Sequence, residues 1–492
     1  FEQYSVILVC MAFFFTFLRL HEVKVTEKRV FHIAGFIVVA LGCGLFTNQI
    51  ILSDFMDEHQ INIRMFRPME SYQKYGGVLT FARSVGYAVV KKPEGYTTAK
   101  VDQIIQEYEK KSANEQQSTA KQYPNIITVV NETFADIKVL GDFKTNEDYM
   151  PYFHSLKKNC VTGYTYASIV GGQTANTEFE LLTGNTLGFL SAGTTAFQLY
   201  IHGQMPSLVS NLKAEGYSGN KAMHPFNPYN YNRPAVYKDF GFTDFIDKFD
   251  FPKNVKRVRE YISDEANVDR IISEYEKNRK KTDQPFYMYN MTIQNHSPYD
   301  KDAANFKQPI KIESSKYDAE ANRYLNLIKY SDDSLKQLTS YFEKCKEPTI
   351  ILFLGDHQPR LTDEFMNKIT NGQYQTWSSE QMMKRYQVPF VIWANYDIKE
   401  QHIEKTSMNY IQSILTKTAG VKMTGYQRFL NEVRKEVPTI TSQGYWGKNG
   451  KFYQINDKGS PYYGIIQKYR MIQYNMMFDK KNRRDSFFEV SK

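Results

Sequence analysis

The chain has 492 residues, 42% of them hydrophobic and 23% charged, with a formal net charge of +9. That length holds two or three domains and that apolar fraction fills a sizeable core, so an intrinsically disordered protein is excluded. The positive balance alone would suit nucleic acid, but no RNA- or DNA-binding motif accompanies it, and an anionic membrane surface accounts for it equally well.

Two apolar runs open the chain, residues 4–18 and residues 30–52. Both read as transmembrane helices, clipped from a longer membrane region because no methionine starts the sequence. The loop between them, residues 19–29, is rich in Lys and Arg; the positive-inside rule puts it in the cytoplasm and everything after Ser53 outside. Residues 54–123 read as a helical juxtamembrane linker, with helical spacing over 100–111 and a polar stretch to Gln122.

At Pro124 the pattern changes. The run 125–130 is apolar and β-branched, reads as a buried strand, and ends in Asn131-Glu132-Thr133. A second strand of this kind, 349–354, ends in Gly355-Asp356-His357, and the run 286–293 leads into Asn295-His296-Ser297-Pro298. Between them Gly171-Gly172-Gln173-Thr174-Ala175-Asn176-Thr177-Glu178 reads as a glycine turn opening a helix. Strand-like and helix-like runs then alternate: a helix over 206–215, a long amphipathic helix over 324–345, and a strand over 388–393. Beyond Val421 a hairpin (444–447 with 450–453) and a closing helix (462–477) precede the basic tail Lys480-Lys481-Asn482-Arg483-Arg484. The four cysteines, Cys10, Cys43, Cys160 and Cys345, have no metal-site spacing and read as free thiols, with a Cys160–Cys345 bridge the one pairing left open.

In open α/β sheets, ligands bind beyond the carboxyl ends of the strands. Glu132, Asp356 and His357 therefore converge as two hard oxygens and one imidazole, a donor set suited to manganese, magnesium or zinc. Thr174 is the candidate nucleophile, since a divalent cation lowers the pKa of a hydroxyl and orients its lone pair; Thr177 and Thr183 compete for that role. His296 is placed to hydrogen-bond a phosphoryl oxygen or to protonate a departing alkoxide. His224 and Arg233 lie in a loop rich in Pro, Asn and Tyr, which reads equally as an ordinary aromatic surface or as a place for a guanidinium to hold phosphate bidentately.

Taken together and in this order, Val130-Asn131-Glu132-Thr133-Phe134, Gly172-Gln173-Thr174-Ala175-Asn176-Thr177-Glu178-Phe179, Tyr231-Asn232-Arg233, Asn295-His296-Ser297-Pro298 and Gly355-Asp356-His357 resemble the lipoteichoic acid synthase family. These are bacterial phosphoglycerol transferases with a sulfatase-like domain of the alkaline phosphatase superfamily outside the membrane. The resemblance implies an α/β fold with a central sheet flanked by helices and preceded by transmembrane helices. It divides the chain into a membrane region (1–53), a linker (54–123), an extracellular catalytic domain (124–480) and a basic tail (481–492). It implies that Glu132, Thr174, Asp356 and His357 bind one divalent ion, typically manganese, with Thr174 also the nucleophile. Arg233 and His296, with Tyr231 and His224 in the same loop, are then the phosphoglycerol contacts. Tyr231 stands where the synthases often have tryptophan, and Gln173 where they often have lysine.

The implied reaction moves glycerol phosphate from phosphatidylglycerol, at the bacterial cell membrane, to a glycerol-phosphate polymer or a cell-wall polysaccharide. Two other readings are an inactive scaffold that binds such a polymer and a phosphatase- or sulfatase-type hydrolase. Sulfatases need a Cys or Ser that becomes formylglycine, and Thr174-Ala175-Asn176-Thr177-Glu178 has neither.

Overall fold

The apolar runs become the centre of an eight-stranded sheet in the computed structural model of the chain. The structure describes residues 29–51, 55–58, 61, 63, 68–112, 122–313, 318–372 and 374–490. In chain order the strands are β1 (Asn125–Asn131), β2 (Cys160–Tyr166), β3 (Ser218–Met223), β4 (Asp244–Ile246), β5 (Phe286–Met291), β6 (Thr349–Gly355), β7 (Gln387–Ala394) and β8 (Gln401–Ser407). Their spatial order is β8-β2-β7-β6-β1-β5-β3-β4. Only β7 runs against the rest, pairing antiparallel with β2 and β6, while β1 lies parallel between β5 and β6.

Every residue of β1, β5 and β6 is buried, which is why these strands read as unbroken apolar runs. Successive side chains point to opposite faces. Ile127 and Val129 join Met288, Phe353 and Val391 in a core with the helices Asp264–Arg279 and Ala319–Phe342. Ile126, Val130, Ile350, Leu352 and Leu354 are buried on the other face. There the helices Leu208–Ala214 and Met408–Thr418 pack against β3 and β2.

The central register sets the site. Val130 pairs with Met291 and with Leu354, and Asn131 with Gly355, so Glu132 and Asp356 leave their strands at one level, with Thr292 one residue behind. A three-stranded antiparallel sheet, Thr439–Thr441, Gly444–Trp446 and Phe452–Tyr453, contains the hairpin expected near residue 444. Cys43, Cys160 and Cys345 are free thiols, so the Cys160–Cys345 bridge is absent.

The chain divides into two compact units, residues 1–91 with 191–194, and residues 92–190 with 195–492. Within the larger unit, the helix Thr98–Ser112 buries Val101, Ile104 and Tyr108. Arg484 holds Asp102 through Nε and Nη2 at 2.6 and 2.8 Å, and Phe487 and Phe488 are buried.

Within the smaller unit, residues 4–18 lie outside the described residues, and the second apolar run forms the helix Arg29–Phe46 followed by a π-helical turn, Thr47–Ile51. No helix among the described residues is long and apolar enough to cross a membrane. The run expected as one span from 30 to 52 is interrupted at Thr47, leaving 18 helical residues, about 27 Å at 1.5 Å per residue. The same unit holds the helix Pro68–Ala88, kinked at Gly76.

Candidate functional site

Three backbone features bring the site residues together. First, β1 and β6 end side by side, and the turn after β1 crosses directly over Gly355: a Cβ there would lie 1.8 Å from the Phe134 carbonyl oxygen. Only glycine fits that approach. Second, the Thr133 amide donates to Asp356 Oδ1 at 2.7 Å and the His357 amide to the same oxygen at 2.8 Å, while the Glu132 amide donates to Thr292 Oγ1 at 3.0 Å. Third, Gly171, Gly172 and Gln173 have φ of 67°, 139° and 67°. These left-handed residues turn the chain sharply so that Thr174 becomes the first residue of the helix Thr174–Thr183.

Glu132, Asp356 and His357 are all buried, and one ligand atom from each lies within 4.8 Å of the others. His357 Nδ1 faces the Gln358 carbonyl at 3.0 Å; a carbonyl only accepts, so Nδ1 carries the proton and Nε2 presents a lone pair. That Nε2 lies 3.2 Å from Asp356 Oδ2 and 3.8 Å from Glu132 Oε1. Neither Nε2 nor Asp356 Oδ2 has a hydrogen-bond partner, although both are buried. Buried electron-pair donors that face one another without a hydrogen-bond partner are what a cation would satisfy, and the set of two carboxylates and an imidazole fits a divalent ion. Burial, and then the charge of Asp356, push the Glu132 carboxyl up to about 8, the cost that a bound cation would remove.

Thr174 Oγ1 lies 3.5 Å from Glu132 Oε2, at the edge of this cluster. Its two competitors are engaged elsewhere. Thr177 Oγ1 donates to the Asp356 carbonyl at 2.8 Å, and Thr183 Oγ1 to the Phe179 carbonyl at 2.7 Å. Thr174 also stands at a helix N-terminus, where free amides and the helix dipole favour an anionic group.

Arg233 is buried and held by Glu178, one turn after Thr174 on the same helix: Nε and Nη2 both donate to Glu178 Oε1, at 3.1 and 2.7 Å. Tyr237 and Tyr289 donate to the other carboxylate oxygen. The edge of the guanidinium expected to clasp phosphate bidentately is thus taken by Glu178, which leaves Nη1, 3.5 Å from the Asn230 carbonyl. Tyr231, at φ 59°, lays its ring 5.1 Å from the guanidinium carbon.

His224 is buried with Nδ1 donating to the Met291 carbonyl at 3.0 Å. Burial first, and then the positive charge of Arg233, hold it well below the usual imidazole range, so it is neutral with Nε2 an acceptor. His296 is half-buried, its Nδ1 2.7 Å from the Ser297 carbonyl and its ring stacked on Phe226.

Behind these residues lies a polar network that the sequence did not single out. Asp264 Oδ2 accepts from Asn131 Nδ2 at 2.7 Å and Ser331 Oγ at 2.6 Å. Asn295 Nδ2 in turn reaches Asn131 Oδ1 at 3.1 Å and the Glu132 carbonyl at 3.0 Å. Asn131 precedes Glu132 and Asn295 precedes His296, so one buried carboxyl ties together the two loops that carry site residues. Burial raises the pKa of Asp264. The signal available in sequence was the pair of asparagines next to Glu132 and His296; nothing local joins Asp264 to them.

Comparison with known proteins agrees with this architecture. The sulfatase family profile matches residues 124–421. A Rhizobium meliloti protein provisionally named cyclic beta-1,2-glucan modification protein is 30% identical over 433 residues, 86% of this chain and 65% of its own length. The lipoteichoic acid synthase of Staphylococcus saprophyticus is 24% identical over 373 residues, 73% of this chain and 55% of that protein. The chain thus spans less than two thirds of either relative. Among solved structures, the Streptococcus pyogenes phosphoglycerol transferase GacH, in complex with sn-glycerol-1-phosphate, superposes with a TM-score of 0.66 at 20% identity, covering 82% of this chain and all of that one. The match to that transferase is one of fold, an alkaline-phosphatase-like sheet with flanking helices. With the profile spanning more than half of its residues, the chain belongs to the sulfatase family, as a relative of the lipoteichoic acid synthases.

Proposed function

We propose that the protein is a metal-dependent phosphoglycerol transferase of the cell envelope that takes glycerol phosphate from phosphatidylglycerol and passes it to an envelope acceptor through Thr174. The observation that carries this reading is the placement of Thr174 Oγ1 beside Glu132 at a helix N-terminus, with Thr177 and Thr183 already committed to backbone carbonyls. Glu132, Asp356, His357 and Thr174 would hold one divalent ion, manganese before magnesium or zinc, which when bound lowers the pKa of the threonine hydroxyl and offsets charge on the phosphoryl group.

In the first step Thr174 Oγ gives its proton to solvent and bonds to phosphorus, while the bond from phosphorus to the diacylglycerol oxygen breaks and diacylglycerol leaves with a proton. In the second, an acceptor hydroxyl oxygen loses its proton to bond phosphorus, and Thr174 Oγ is released and reprotonated. His296, half-buried, would give the proton to the departing diacylglycerol oxygen and take it from the acceptor. Arg233 Nη1 steadies a phosphoryl oxygen, and the neutral His224 accepts from a glycerol hydroxyl through Nε2. Glu178 fixes Arg233, so substrate geometry depends on a buried ion pair and not on a mobile side chain.

The apolar helix Arg29–Phe46, with Val38, Leu41 and Leu45 exposed, supports membrane attachment next to a lipid donor, with the catalytic unit outside the cell. Diacylglycerol release from phosphatidylglycerol liposomes tests the function. Release with added manganese, abolished by chelator and by Glu132→Ala, is expected; no release with manganese, magnesium or zinc and any of several acceptors would leave a polymer-binding scaffold.

A further inference from the structure

The loop that carries His296 is held from two sides. Behind it, the Asp264 amide donates to Gln294 Oε1 at 3.0 Å and Asn295 Nδ2 reaches Asn131 Oδ1 at 3.1 Å. On the other side stands a single guanidinium. Arg259 Nη2 donates to the Gln294 carbonyl at 2.8 Å and to the His296 carbonyl at 2.7 Å, and Nη1 donates to the Pro298 carbonyl at 2.7 Å. One side chain thus grips three carbonyls of a short stretch, and its planar fork fixes their relative directions.

A hairpin places Arg259 for this contact. Arg257–Val258 and Tyr261–Ile262 pair antiparallel, with Val258 opposite Tyr261, so Arg259 and Glu260 form a two-residue turn. Val258 and Ile262 are buried and anchor it, and Asn305 Nδ2 donates to the Arg257 and Arg259 carbonyls at 3.1 and 3.0 Å. Arg259 has φ 55°, a left-handed conformation that such turns ordinarily give to glycine or asparagine. Its guanidinium carbon lies over the rings of Tyr261 and Tyr299, 5.3 and 5.8 Å from their centres. Three of its donors are spent on the loop and Nε is buried, so the group serves the loop and not a phosphate.

What the clamp controls is the imidazole. His296 Nδ1 lies 2.7 Å from the Ser297 carbonyl, and in sequence that carbonyl falls between the two, of His296 and Pro298, that Arg259 holds. The Tyr261 hydroxyl is 3.4 Å from Nδ1 and from the Ser297 carbonyl, too far to hold the ring by itself. We infer that Arg259 is a positioning residue for His296: by fixing the backbone over 294–298 it keeps the Nδ1 proton on the Ser297 carbonyl and leaves Nε2 as the nitrogen that exchanges the proton. The inference rests on the transferase reading, in which His296 has that task, and deepens it by naming what sets the tautomer and direction of the ring. Lysine cannot do the same, because an ammonium is a point charge without a fork.

The experiment compares the wild type with Arg259→Lys, His296→Gln and the double variant. It reads diacylglycerol release with manganese and, at about pH 8.5, long-range proton–nitrogen spectra of the histidine rings. Arg259→Lys should lower kcat about tenfold with KM for phosphatidylglycerol and manganese affinity unchanged, because ring direction and not binding is lost. Added to His296→Gln it should cost nothing further, since the clamp acts only through that ring. The His296 signal, identified by its absence in His296→Gln, should show the proton on Nδ1 in the wild type and both tautomers in Arg259→Lys. Additive losses in the double variant, a raised KM in place of a lowered kcat, or an unchanged tautomer overturns the inference. If Arg259→Lys melts more than about 5 °C below the wild type, Asn305→Ala takes its place, because it frees the hairpin tip without touching the guanidinium. It should show the same kcat loss and mixed tautomers, and native values in it overturn the inference. Failure of the wild type to release diacylglycerol would sink the transferase reading, and the ring spectra would still decide whether Arg259 orients His296.

Discussion

At the scale of single residues, the site concentrates charge where water cannot screen it. Glu132 and Asp356 are buried side by side, and Glu132 is pushed up to about 8, against 4.5 for a free carboxyl. Without a cation the folded protein therefore holds a proton there that the unfolded chain releases. Stability of the cation-free protein should fall as pH rises through the window between those two values. Cation binding displaces that proton, so affinity for manganese should weaken by about tenfold per unit as pH drops below 8. Isothermal titration across pH 6 to 9 checks the second expectation and thermal melts with and without the ion check the first; a pH-independent affinity would show that Glu132 is not a ligand. Glu178 and Arg233 answer the same problem by pairing: burial alone would lower the Arg233 pKa, and the Glu178 charge overrides it and raises the pKa instead. Their contact joins positions 55 residues apart, which is why the sequence motifs contained both residues but could not relate them.

At the scale of elements, the parts of the fold that were legible are those whose burial imposes a strong local pattern. β1 and β6 are covered on both faces and read as apolar runs; the helix Ala319–Phe342 reads from its apolar periodicity. The edge strand β8, Gln401–Ser407, exposes four of its seven residues and carries His402, Glu404 and Lys405, so nothing in its composition separates it from a loop. β2 is Cys-Val-Thr-Gly-Tyr-Thr-Tyr, too polar to read as a sheet interior strand, and it is placed only by β7 and β8 on either side. The buried cluster of Glu132, Asp356 and His357 could be anticipated because these residues follow strand ends directly. The register that aligns those ends could not, since it depends on the close passage of the 131–134 turn over Gly355. Gly355→Ala puts a methyl group against the Phe134 carbonyl and must push that turn away. A loss of about 2 kcal/mol or more in urea denaturation, with manganese affinity reduced over tenfold, is expected; native affinity in that variant would mean that the turn does not set the position of Glu132.

At the scale of the whole molecule, the larger unit is closed by its own ends. The helix Thr98–Ser112 is joined through Glu107 to Lys468 and through Asp102 to Arg484, and Phe487 and Phe488 pack on Tyr426 and Phe429. The exposed ion pairs contribute little, but two buried phenylalanines are worth several kcal/mol. Removing residues 478–492 should lower the melting temperature of that unit by about 5 °C or more; an unchanged melt would make the carboxyl-terminal residues a mere appendage. Polar spacing near residue 110 and the basic run at 480 concealed these contacts, because each segment buries only a few apolar side chains on one side.

The proposed reaction runs through one atom, Thr174 Oγ1, which lies 3.5 Å from Glu132 Oε2. The direct measurement is the mass of the peptide containing Thr174 after phosphatidylglycerol and manganese are mixed with the protein, without acceptor, and quenched rapidly in acid. The wild type should carry a glycerophosphoryl group on that peptide, and Thr174→Ala should carry none and release no diacylglycerol while binding manganese and melting as a folded protein. Near wild-type release of diacylglycerol by Thr174→Ala would contradict the account and move the attacking oxygen to another group.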